Sequence, residues 1–450
     1  MKKVGIDSIS FYVPNIYLSI EELSASRDLE FEKLNKGLGL NKMSIPDIDE
    51  DPATFAANAL IDLIEKNNIN LKSIGRIYMG TESALDSSKP TCTYATELVE
   101  KYFEPKYGKR CLKNCDVSDI TFACIGGVDA LQNSLDWVSN NHGKKAIVVC
   151  SDLSKYELNS TGEYTQGAGA VALLVSEDPS IISINNQWGV ATKSEKDFFK
   201  PRREVDTRTV VENVLDVARE SGERIRSNLA EKILKYLPRS NKKNAVLFEN
   251  EKLMIHKDTP VFDGQFSNRC YQQAVRQAFY NFSQRAIKQK RWDPELDTQF
   301  TEQWSRIIMH LPYAFQAKRM FPDVFRHDRM NTPMWPAVID QIGEQPESPE
   351  SDNPEAIMAW EKEMDGYRRA ISKTPEYMEF HKQRIEKGQR ASSLIGNQYT
   401  GSIFLALMST FESDLEDNSN LEGELFGLCG YGSGAKAKVF EGKVAPRWRE

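Results

Sequence analysis

Short apolar runs alternate with amphipathic stretches through the first third of the chain. Three of the runs have the length and composition of buried strands, at residues 76–80, 146–150 and 169–175. Residues 52–66 carry apolar side chains at helical spacing, and Pro52 after Asp51 is typical of a helix start. Residues 126–139 predict a second helix. Strands that alternate with helices in this way indicate an α/β layered sheet.

The same alternation returns near the end of the chain. Residues 398–411 predict an apolar helix, and residues 425–440 predict a strand, a glycine-rich turn and a second strand. No repeat is visible by residue identity, although both ends of the chain combine strands, helices and glycine turns.

Two charged stretches interrupt the pattern. Residues 202–258 are dense in Arg, Lys and Glu, with apolar residues at helical spacing on one stripe. Residues 343–356 form a turn-rich linker before a polar helical segment that runs to about residue 390. Because charged helical faces are usually solvated, we expect both stretches to be surface insertions without chemistry of their own.

Composition and charge restrict the class of protein. Of the 450 residues 40% are hydrophobic and 27% are charged, which fits a globular chain with a core, and the length allows about two or three domains. The formal charge of −7 and the lack of a basic stripe argue against a nucleic-acid partner. No apolar stretch is long enough for a membrane span, and Asp7 interrupts any secretory signal.

The cysteines raise the question of a nucleophile. Seven is an odd and sparse count, which argues against a disulfide scaffold and predicts free thiols in a reducing, cytoplasmic compartment. Cys124 precedes Gly126-Gly127 at the start of a predicted helix, where the helix N-terminus would favour a thiolate and could hold an oxyanion. A packed cysteine before a glycine pair would look the same. The cysteines expected to be structural are Cys92, Cys111, Cys115, Cys150, Cys270 and Cys429.

A thiolate nucleophile needs an acid or base as partner. Of the five histidines, His310 stands out at the end of a predicted apolar strand, where α/β enzymes collect catalytic groups, although a core histidine would fit there too. Glu82 also follows a predicted strand, where a buried carboxylate can take a proton from a carbon acid and an exposed one could cap a helix. With Cys124 they form a coherent acyl-transfer set, and no metal site is expected.

Several motifs follow one another along the chain: Gly80-Thr81-Glu82 with Asp86, Ala123-Cys124-x-Gly126-Gly127, Ser151-Asp152 with Tyr156, Gly167-Ala168-Gly169-Ala170, Asp197-Phe198-Phe199-Lys200-Pro201, His310-x-Pro312-Tyr313, Asn397-x-Tyr399-Thr400 and Gly430-Tyr431-Gly432-Ser433-Gly434. Each motif alone is weak, whereas the ordered set is specific. By this set the chain resembles the hydroxymethylglutaryl-CoA (HMG-CoA) synthase family of thiolase-like condensing enzymes.

The resemblance implies a fold and a division of the chain. The fold is a thiolase-like, duplicated αβαβα layered arrangement, here with two charged, mostly helical insertions. The implied segments are an N-terminal half at 1–201 with Glu82 and Cys124, an insertion at 202–258, a first C-terminal part at 259–325 with His310, a second insertion at 326–392, and a last part at 393–450 with the Ser433 turn.

The resemblance also implies roles for residues. Cys124 would carry the acetyl group of acetyl-CoA, Glu82 would remove a proton from the acetyl methyl and later protonate the new alkoxide, and His310 would bind acetoacetyl-CoA. The backbone N–H groups of Cys124 and Ser433 would form the oxyanion hole. The further residues implied are Tyr156, Thr165, Asn397, Ser433 and Lys318 for substrate binding, and Asp86, Asp152 and Asp197 in support.

The chain departs from the family pattern at two single residues and in the greater length of the stretches 202–258 and 326–392. Ile125 follows the nucleophile where relatives often carry Tyr or another bulky residue. Phe315 stands where a lysine for CoA is often found, so CoA binding is expected to depend on Lys318 and Arg319.

The resemblance implies CoA thioesters as substrates, no separate cofactor, a homodimer and a place in the mevalonate pathway. Three alternatives stay open. A polyketide β-branching synthase would take its acetyl group from a carrier protein, and the residues barely separate it from the first reading. An initiating ketoacyl-ACP synthase would not need Glu82, and a scaffold without catalysis would not need all of Cys124, Glu82 and His310.

Overall fold

The computed structural model describes residues 3–238, 247–248, 252–292, 299–350 and 353–450. They form two compact units, one made of residues 1–197 and 262–450 and the other of residues 198–261. Within the described ranges, no helix has both the length and the apolar character needed to cross a bilayer.

The strands of the described chain are numbered in chain order. They are β1 (Val4–Tyr12), β2 (Ile16–Ser19), β3 (Lys42–Ile45), β4 (Ile74–Gly80), β5 (Asp116–Ile120), β6 (Lys145–Ser154), β7 (Gly167–Glu177), β8 (Ile182–Thr192), β9 (Phe198–Phe199), β10 (Arg202–Asp206), β11 (Lys252–His256), β12 (Val261–Phe262), β13 (Arg306–Met309), β14 (Leu425–Gly432) and β15 (Lys436–Val444). The strands predicted in the first third of the chain are confirmed within β4, β6 and β7, and the predicted strand–turn–strand is confirmed as β14 and β15.

The helices are numbered in the same way. They are α1 (Ile20–Ser26), α2 (Phe31–Leu38), α3 (Pro52–Lys66), α4 (Thr91–Tyr107), α5 (Gly126–Asn140), α6 (Thr207–Glu220), α7 (Leu229–Tyr236), α8 (Gly264–Lys288), α9 (Gln316–Met320), α10 (Pro322–Arg329), α11 (Trp335–Ile342), α12 (Pro354–Ile371), α13 (Pro375–Arg384), α14 (Arg390–Ile395) and α15 (Ser402–Glu416). The helix predicted at 52–66 is confirmed as α3. Its start is a capping box, in which the Asp51 carboxylate accepts the Thr54 N–H and the Thr54 hydroxyl accepts the Asp51 N–H.

One sheet of nine strands runs through the larger unit in the order β13-β14-β15-β8-β1-β7-β6-β4-β5. Its two halves repeat the same directions. In the first, β7 is antiparallel to both β1 and β6, and β6 is parallel to β4. In the second, β15 is antiparallel to both β8 and β14, and β14 is parallel to β13. The halves meet where β1 pairs with β8, so the predicted duplication is confirmed.

Helices cover both faces of each half. Side chains along β6 alternate between faces: Ile147 and Val149 join the core of α3 and α4, and Val148 and Cys150 join the core of α5. In the second half, α8 packs on β8, β14 and β15, while α15 packs on β13. A Cβ on Gly127 of α5 would lie 3.2 Å from the Phe404 ring of α15, so these two helices share the middle layer. The predicted αβαβα layering is confirmed.

The helix predicted at 398–411 begins later than its apolar pattern suggests. A 3-10 turn occupies Tyr399–Gly401, and α15 starts at Ser402. The Asn397 side-chain oxygen accepts the Tyr399 N–H, and Tyr399 has a φ of +37°. This local side-chain hydrogen bond competes with a helical start and moves it four residues toward the C-terminus.

The smaller unit contains most of the charged stretch at 202–258. Its strands β10 and β11 pair antiparallel, and its helices are α6 and α7. The apolar stripe predicted here is divided between these two helices, with Gly222 at a φ of +94° just after α6. The parts of the predicted insertion at 239–246 and 249–251 lie outside the described residues.

The second charged stretch, 326–392, is not a set of solvated surface helices, so that expectation is wrong. Its helices bury apolar side chains in the main core of the larger unit, which also holds the sheet. The buried residues are Trp335, Val338, Met364, Tyr367, Ile371, Tyr377, Phe380 and Ile385. The high charge content of the stretch suggested solvated helices. The charged residues, however, lie on the opposite faces of these helices or pair with one another in the interior.

A buried carboxylate joins three helices of this region. Asp323 on α10 is fully buried, and its oxygens lie 3.2 Å from Arg276 Nε on α8, 3.3 Å from Arg326 Nη2 and 3.5 Å from Arg368 Nε on α12. A buried charge is tolerated only when it is paired, so these contacts tie α10 to its neighbours.

Replacing Asp323 with Asn should destabilise the fold. The change leaves three guanidinium groups around a neutral side chain, and breaking a buried ion pair from one side costs about 3 kcal/mol. We expect a clearly lower midpoint of unfolding in urea for Asp323→Asn. The matched control is Asp340→Asn on α11, where the carboxylate is exposed and the midpoint should not move. Equal midpoints for the two variants would contradict the role of Asp323.

Candidate active site

Three side chains selected from the sequence lie at the carboxyl ends of strands. Glu82 follows β4, Cys124 lies between β5 and α5, and His310 follows β13 directly. Strands β4 and β13 occupy equivalent places in the two halves of the sheet, so Glu82 and His310 come from matching positions of the duplicated fold. The carboxyl edge of such a sheet is where α/β proteins bind ligands.

Cys124 and Glu82 are in direct contact. The Sγ of Cys124 lies 3.0 Å from Oε1 of Glu82. Cys124 is 8% exposed and lies two residues before α5, whose N-terminus offers N–H groups and the positive end of its dipole. Ala123, the residue before it, has a φ of +41°, a left-handed conformation that costs energy for a residue with a side chain. The turn thus places a thiol beside a carboxylate at the start of a helix.

Asp152 organises the backbone around this pair. It is fully buried at the end of β6. Its Oδ1 accepts the Glu82 N–H at 2.7 Å, and its Oδ2 accepts the Thr400 N–H at 3.1 Å and the Thr400 hydroxyl at 2.5 Å. The carboxylate therefore fixes the Glu82 turn to the turn that precedes α15. The structure places Asp152 next to the site, and its supporting role stays a prediction.

His310 is buried and neutral. Burial lowers the pKa of its imidazole to about 3. Its Nδ1 lies 2.5 Å from the Ser402 hydroxyl, and its backbone N–H donates to the Cys429 carbonyl on β14. The Tyr271 hydroxyl donates to the His310 carbonyl at 2.8 Å. A neutral imidazole can donate a hydrogen bond from one nitrogen and accept one at the other.

The end of β14 connects His310 to the Cys124 turn. A Cβ on Gly432 would lie 2.6 Å from the Phe122 carbonyl oxygen and 2.8 Å from the Ile125 nitrogen. Only glycine allows the strand to approach the turn so closely. Ser433 follows at once, so its backbone lies beside the Cys124 turn, as the glycine-rich motif suggested.

Asp197 holds the Ser433 turn from the other side. It is fully buried, and its oxygens accept the Gly434 N–H at 2.9 Å, the Tyr431 hydroxyl at 3.1 Å and the Ser267 hydroxyl at 3.0 Å. The predicted supporting residue thus contacts the turn that it was expected to support, which is consistent with the role implied for it.

Thr165 and Asn397 are neighbours, and both are buried. The Asn397 N–H donates to the Thr165 carbonyl at 3.0 Å, and the Thr165 hydroxyl donates to the Gly162 carbonyl at 2.8 Å. Tyr156 lies near the thiol and carboxylate: burial, followed by the charges of Cys124 and Glu82, raises the pKa of its phenol. The structure therefore places these three predicted substrate-binding residues on one side of the site.

Two predicted residues lie farther from the reacting groups. Lys318 on α9 has its Nζ 6.0 Å from the centre of the Phe315 ring, and the neighbouring Arg319 donates to the Gly37 carbonyl at 2.9 Å. Asp86 is exposed, and its carboxylate accepts the Ser88 and Lys89 N–H groups at 2.7 and 2.8 Å. Asp86 shapes the loop after Glu82, and neither residue is brought to Cys124 by a contact in the described structure.

The other six cysteines differ from Cys124 in their surroundings. Burial raises the pKa of all six thiols, to about 12 for Cys115, Cys270 and Cys429. They therefore stay protonated near neutral pH, which fits structural roles. Among the cysteines of the described chain, Cys124 is the one whose thiol hydrogen-bonds to a carboxylate.

Three site residues were missed by the sequence. Tyr399 lies close to Glu82, since burial and then the charges of Tyr156, Glu82 and Cys124 raise the pKa of its phenol. The motif Asn397-x-Tyr399-Thr400 does not by itself indicate a role for this tyrosine. Ser402 is part of the same apolar helix pattern, and Tyr271 lies on the long amphipathic helix α8, where no local signal separates it from core tyrosines.

A buried charge cluster fastens the start of α5 to β15. The Asp129 carboxylate of α5 contacts Lys436 Nζ at 2.8 Å and Lys438 Nζ at 2.6 Å. Lys436 also lies 5.0 Å from the centre of the Phe122 ring, just before Cys124. This cluster stabilises the placement of the Cys124 turn against the strand that follows Ser433.

Comparison with known proteins agrees with this geometry. The family models described as hydroxymethylglutaryl-coenzyme A synthase N terminal and C terminal match residues 1–180 and 248–449. The hydroxymethylglutaryl-CoA synthase of Haloferax volcanii is 27% identical and aligns over 100% of this chain and 85% of its own length. The enzyme of Enterococcus faecalis is 26% identical over 98% of this chain and 83% of its own.

Solved structures give the same result. MvaS in complex with 3-hydroxy-3-methylglutaryl coenzyme A is 26% identical, with a TM-score of 0.72 over 100% of this chain and 85% of that one. The HMG synthase of the curacin biosynthetic pathway in complex with acetyl donor-ACP is 20% identical, with a TM-score of 0.66 over 99% of this chain and 82% of that one. At that identity the likeness concerns the fold alone.

Proposed function

The chain belongs to the hydroxymethylglutaryl-CoA synthase family and is an acyltransferase, and we propose that it condenses acetyl-CoA with acetoacetyl-CoA through an acetyl group on Cys124. The observation that carries this proposal is the 3.0 Å contact between Cys124 Sγ and Glu82 Oε1 at the start of a buried helix. A thiol beside a carboxylate and a helix N-terminus has the parts that acyl transfer to sulfur requires.

In the first step Cys124 takes the acetyl group. The Cys124 thiol loses its proton as sulfur attacks the thioester carbonyl, and the tetrahedral oxyanion collapses with loss of CoA thiolate. That leaving group takes up the proton that the thiol released. The products of this half-reaction are acetyl–S-Cys124 and free CoA, and Glu82 remains a carboxylate.

In the second step Glu82 acts on the acetyl group. Since the carboxylate touches the sulfur, it also lies within reach of a methyl group attached one carbon away. It removes a methyl proton, and the resulting enolate attacks the ketone carbon of acetoacetyl-CoA. The new alkoxide takes the proton back from Glu82, so the carbon–carbon bond forms with no net proton uptake.

In the third step water releases the product. Glu82 accepts a proton from water as the oxygen adds to the thioester of the enzyme, and Cys124 thiolate leaves and is reprotonated. The overall reaction consumes acetyl-CoA, acetoacetyl-CoA and water, and yields HMG-CoA and CoA. We propose that no separate cofactor takes part, because the thioesters themselves supply the activated carbonyl groups.

The backbone supports each oxyanion along this path. We assign the oxyanion hole to the N–H groups of Cys124 and Ser433. The close approach of Gly432 to the Cys124 turn supports this assignment, as do the contacts of Asp197 that hold the Ser433 turn. Fixed donors of this kind stabilise a developing charge without having to reorient.

The remaining residues form the walls of the substrate site. We propose that Tyr156, Thr165 and Asn397 contact the acyl groups, with Tyr399 beside them, since the raised pKa values keep both phenols protonated as donors. Lys318 and Arg319 are proposed to bind the CoA moieties. Both lie on the short helix that follows His310, at the same end of the sheet.

The two alternative enzyme classes, a ketoacyl-ACP synthase and a β-branching synthase, fit the site to different degrees. An initiating ketoacyl-ACP synthase does not need a carboxylate on its nucleophile, and the Glu82 contact with Cys124 therefore argues against it. A β-branching synthase with a carrier-protein donor would use the same three residues. We favour CoA as the donor, because the relatives from Haloferax volcanii and Enterococcus faecalis are named hydroxymethylglutaryl-CoA synthases and MvaS is in complex with 3-hydroxy-3-methylglutaryl coenzyme A.

We further propose that the protein is a cytoplasmic homodimer that supplies HMG-CoA to the mevalonate pathway. In the described structure β5 is the terminal strand of the sheet, and the neighbouring helix α4 exposes Leu98 and Tyr102. A sheet edge beside exposed apolar side chains is suited to pairing with a second copy. Light scattering in solution should give twice the mass of one chain, and the mass of a single chain would refute the dimer.

Stepwise mass spectrometry tests the reaction. After incubation with acetyl-CoA, the wild-type protein should carry one acetyl group, and acetoacetyl-CoA should then remove it as HMG-CoA. The Cys124→Ala variant should stay unmodified because it lacks the attacking sulfur. The Glu82→Gln variant should retain the acetyl adduct and lose condensation by at least about 10²-fold, since it has no base for the methyl proton.

The matched control for the nucleophile is Cys111→Ala. Cys111 is a partly exposed thiol that does not touch Glu82, so this variant should acetylate like the wild type. An acetyl adduct on Cys124→Ala would overturn the nucleophile, and normal HMG-CoA formation by Glu82→Gln would overturn the base.

Replacing Gly432 with Ala tests the oxyanion hole. The added Cβ would force β14 away from the Phe122 carbonyl and shift the Ser433 N–H, and loss of one oxyanion donor costs about 10²-fold in kcat. Gly366→Ala is the control, because a Cβ there meets nothing within 4 Å on α12. If Gly432→Ala turned over acetyl-CoA and acetoacetyl-CoA as fast as Gly366→Ala, the assignment would be wrong.

A further inference from the structure

Ser402, at the start of α15, contacts the imidazole of His310 inside the protein. Its hydroxyl oxygen lies 2.5 Å from Nδ1, and the two residues are 3% and 1% exposed. Because the buried ring is neutral near pH 7, it carries a single proton on one of its two nitrogens. The identity of that nitrogen determines what the ring can offer a ligand.

The other contact of the Ser402 hydroxyl decides which nitrogen carries the proton. The Leu311 backbone N–H donates to Ser402 Oγ at 3.1 Å. In the part of the chain that the structure describes, Leu311 and His310 are the hydrogen-bond partners of this hydroxyl. A hydroxyl has one proton to donate. Since Leu311 is itself a donor, His310 Nδ1 is the acceptor left for that proton, and pairing it there places the ring proton on Nε2. The reverse assignment would leave the buried hydroxyl proton unpaired.

The ring is held in this orientation by its backbone. The His310 N–H donates to the Cys429 carbonyl at 3.1 Å, and its carbonyl accepts the Tyr271 hydroxyl at 2.8 Å. The Tyr271 ring lies parallel to the imidazole within 20°, at a centroid distance of 6.3 Å. Nε2 has no hydrogen-bond partner among the described residues, so its N–H is available to a bound molecule.

We propose that Ser402 is a positioning residue that holds His310 as the Nε2–H tautomer, so that Nε2 donates a hydrogen bond to the ketone oxygen of the acceptor thioester. This inference rests on the proposed function. Donation by Nε2–H withdraws electrons from the ketone and makes its carbon a better target for the enolate. With the proton on Nδ1, the lone pair of Nε2 would face the ketone oxygen and repel it. Acetylation of Cys124 by acetyl-CoA does not involve acetoacetyl-CoA, so its rate should not depend on Ser402.

The tautomer can be read directly from the protein labelled with ¹⁵N-histidine. In the wild type we expect His310 to show a proton on Nε2 and an unprotonated Nδ1 at pH 7. In Ser402→Ala both tautomers become populated, so the shifts of the two nitrogens should move toward each other. Condensation should fall about 10- to 100-fold, the loss typical when the hydrogen-bond partner that orients a functional histidine is removed, while the rate of acetylation by acetyl-CoA stays within about twofold.

Ser409→Ala is the matched control on the same helix. Ser409 is also 3% exposed, and its hydroxyl accepts the Ala391 N–H at 3.1 Å, as Ser402 accepts the Leu311 N–H. The control removes an equivalent buried hydroxyl from α15 without touching His310, so it should change neither the nitrogen shifts nor condensation. Ser402→Thr, which keeps a hydroxyl, should retain the wild-type tautomer and rate.

The outcomes separate this inference from the proposed function. A proton on Nδ1 of His310 in the wild type would overturn the role of Ser402, even if no variant could be purified folded. Condensation by Ser402→Ala at the rate of Ser409→Ala would overturn it as well. Absence of HMG-CoA formation by the wild type would instead refute the proposed function.

Discussion

The site depends on one buried carboxylate, that of Asp152. It accepts hydrogen bonds from the backbone of Glu82 on one oxygen and from the backbone and hydroxyl of Thr400 on the other. Glu82 belongs to the first half of the duplicated fold, and Thr400 begins the approach to α15 in the second. A buried charge of this kind is stable only when its donors are all in place. The need to satisfy Asp152 therefore fixes Glu82, the proposed base, in one half against the turn that carries Tyr399 and Ser402 in the other.

The duplication explains how unlike groups come to share one site. Equivalent strands β4 and β13 end at the same edge of the sheet, and they deliver a carboxylate and an imidazole respectively. The Cys124 thiol, the proposed nucleophile, comes from the strand-to-helix turn before α5, whose helix lies in the middle layer. Burial then gives each group a single state: it keeps the imidazole neutral by lowering its pKa and keeps the phenols of Tyr156 and Tyr399 protonated.

Close backbone approach and buried ion pairs fix the positions of these catalytic elements relative to one another. Gly432 lets β14 touch the Cys124 turn without an intervening side chain, and the contacts of Asp129 with Lys436 and Lys438 fasten α5 to β15 nearby. Asp323 ties α8, α10 and α12 together in the same way. We therefore expect the rate of the reaction to depend also on residues that do not contact the substrate, because they fix the positions of the hydrogen-bond donors.

The sequence by itself determined the layered α/β class, helix α3 with its start, and the choice of Cys124, Glu82 and His310. These follow from local rules: apolar periodicity, helix capping, and reactive side chains at strand ends. The sequence did not show that the charged helices at 326–392 bury apolar faces in the core, or that Ser402 contacts His310 rather than continuing an apolar stripe. The partners of those residues lie tens to hundreds of positions away along the chain. Only the tertiary structure decided them, because pairing of buried polar groups and helix faces depends on distance in space, which local spacing along the sequence does not encode.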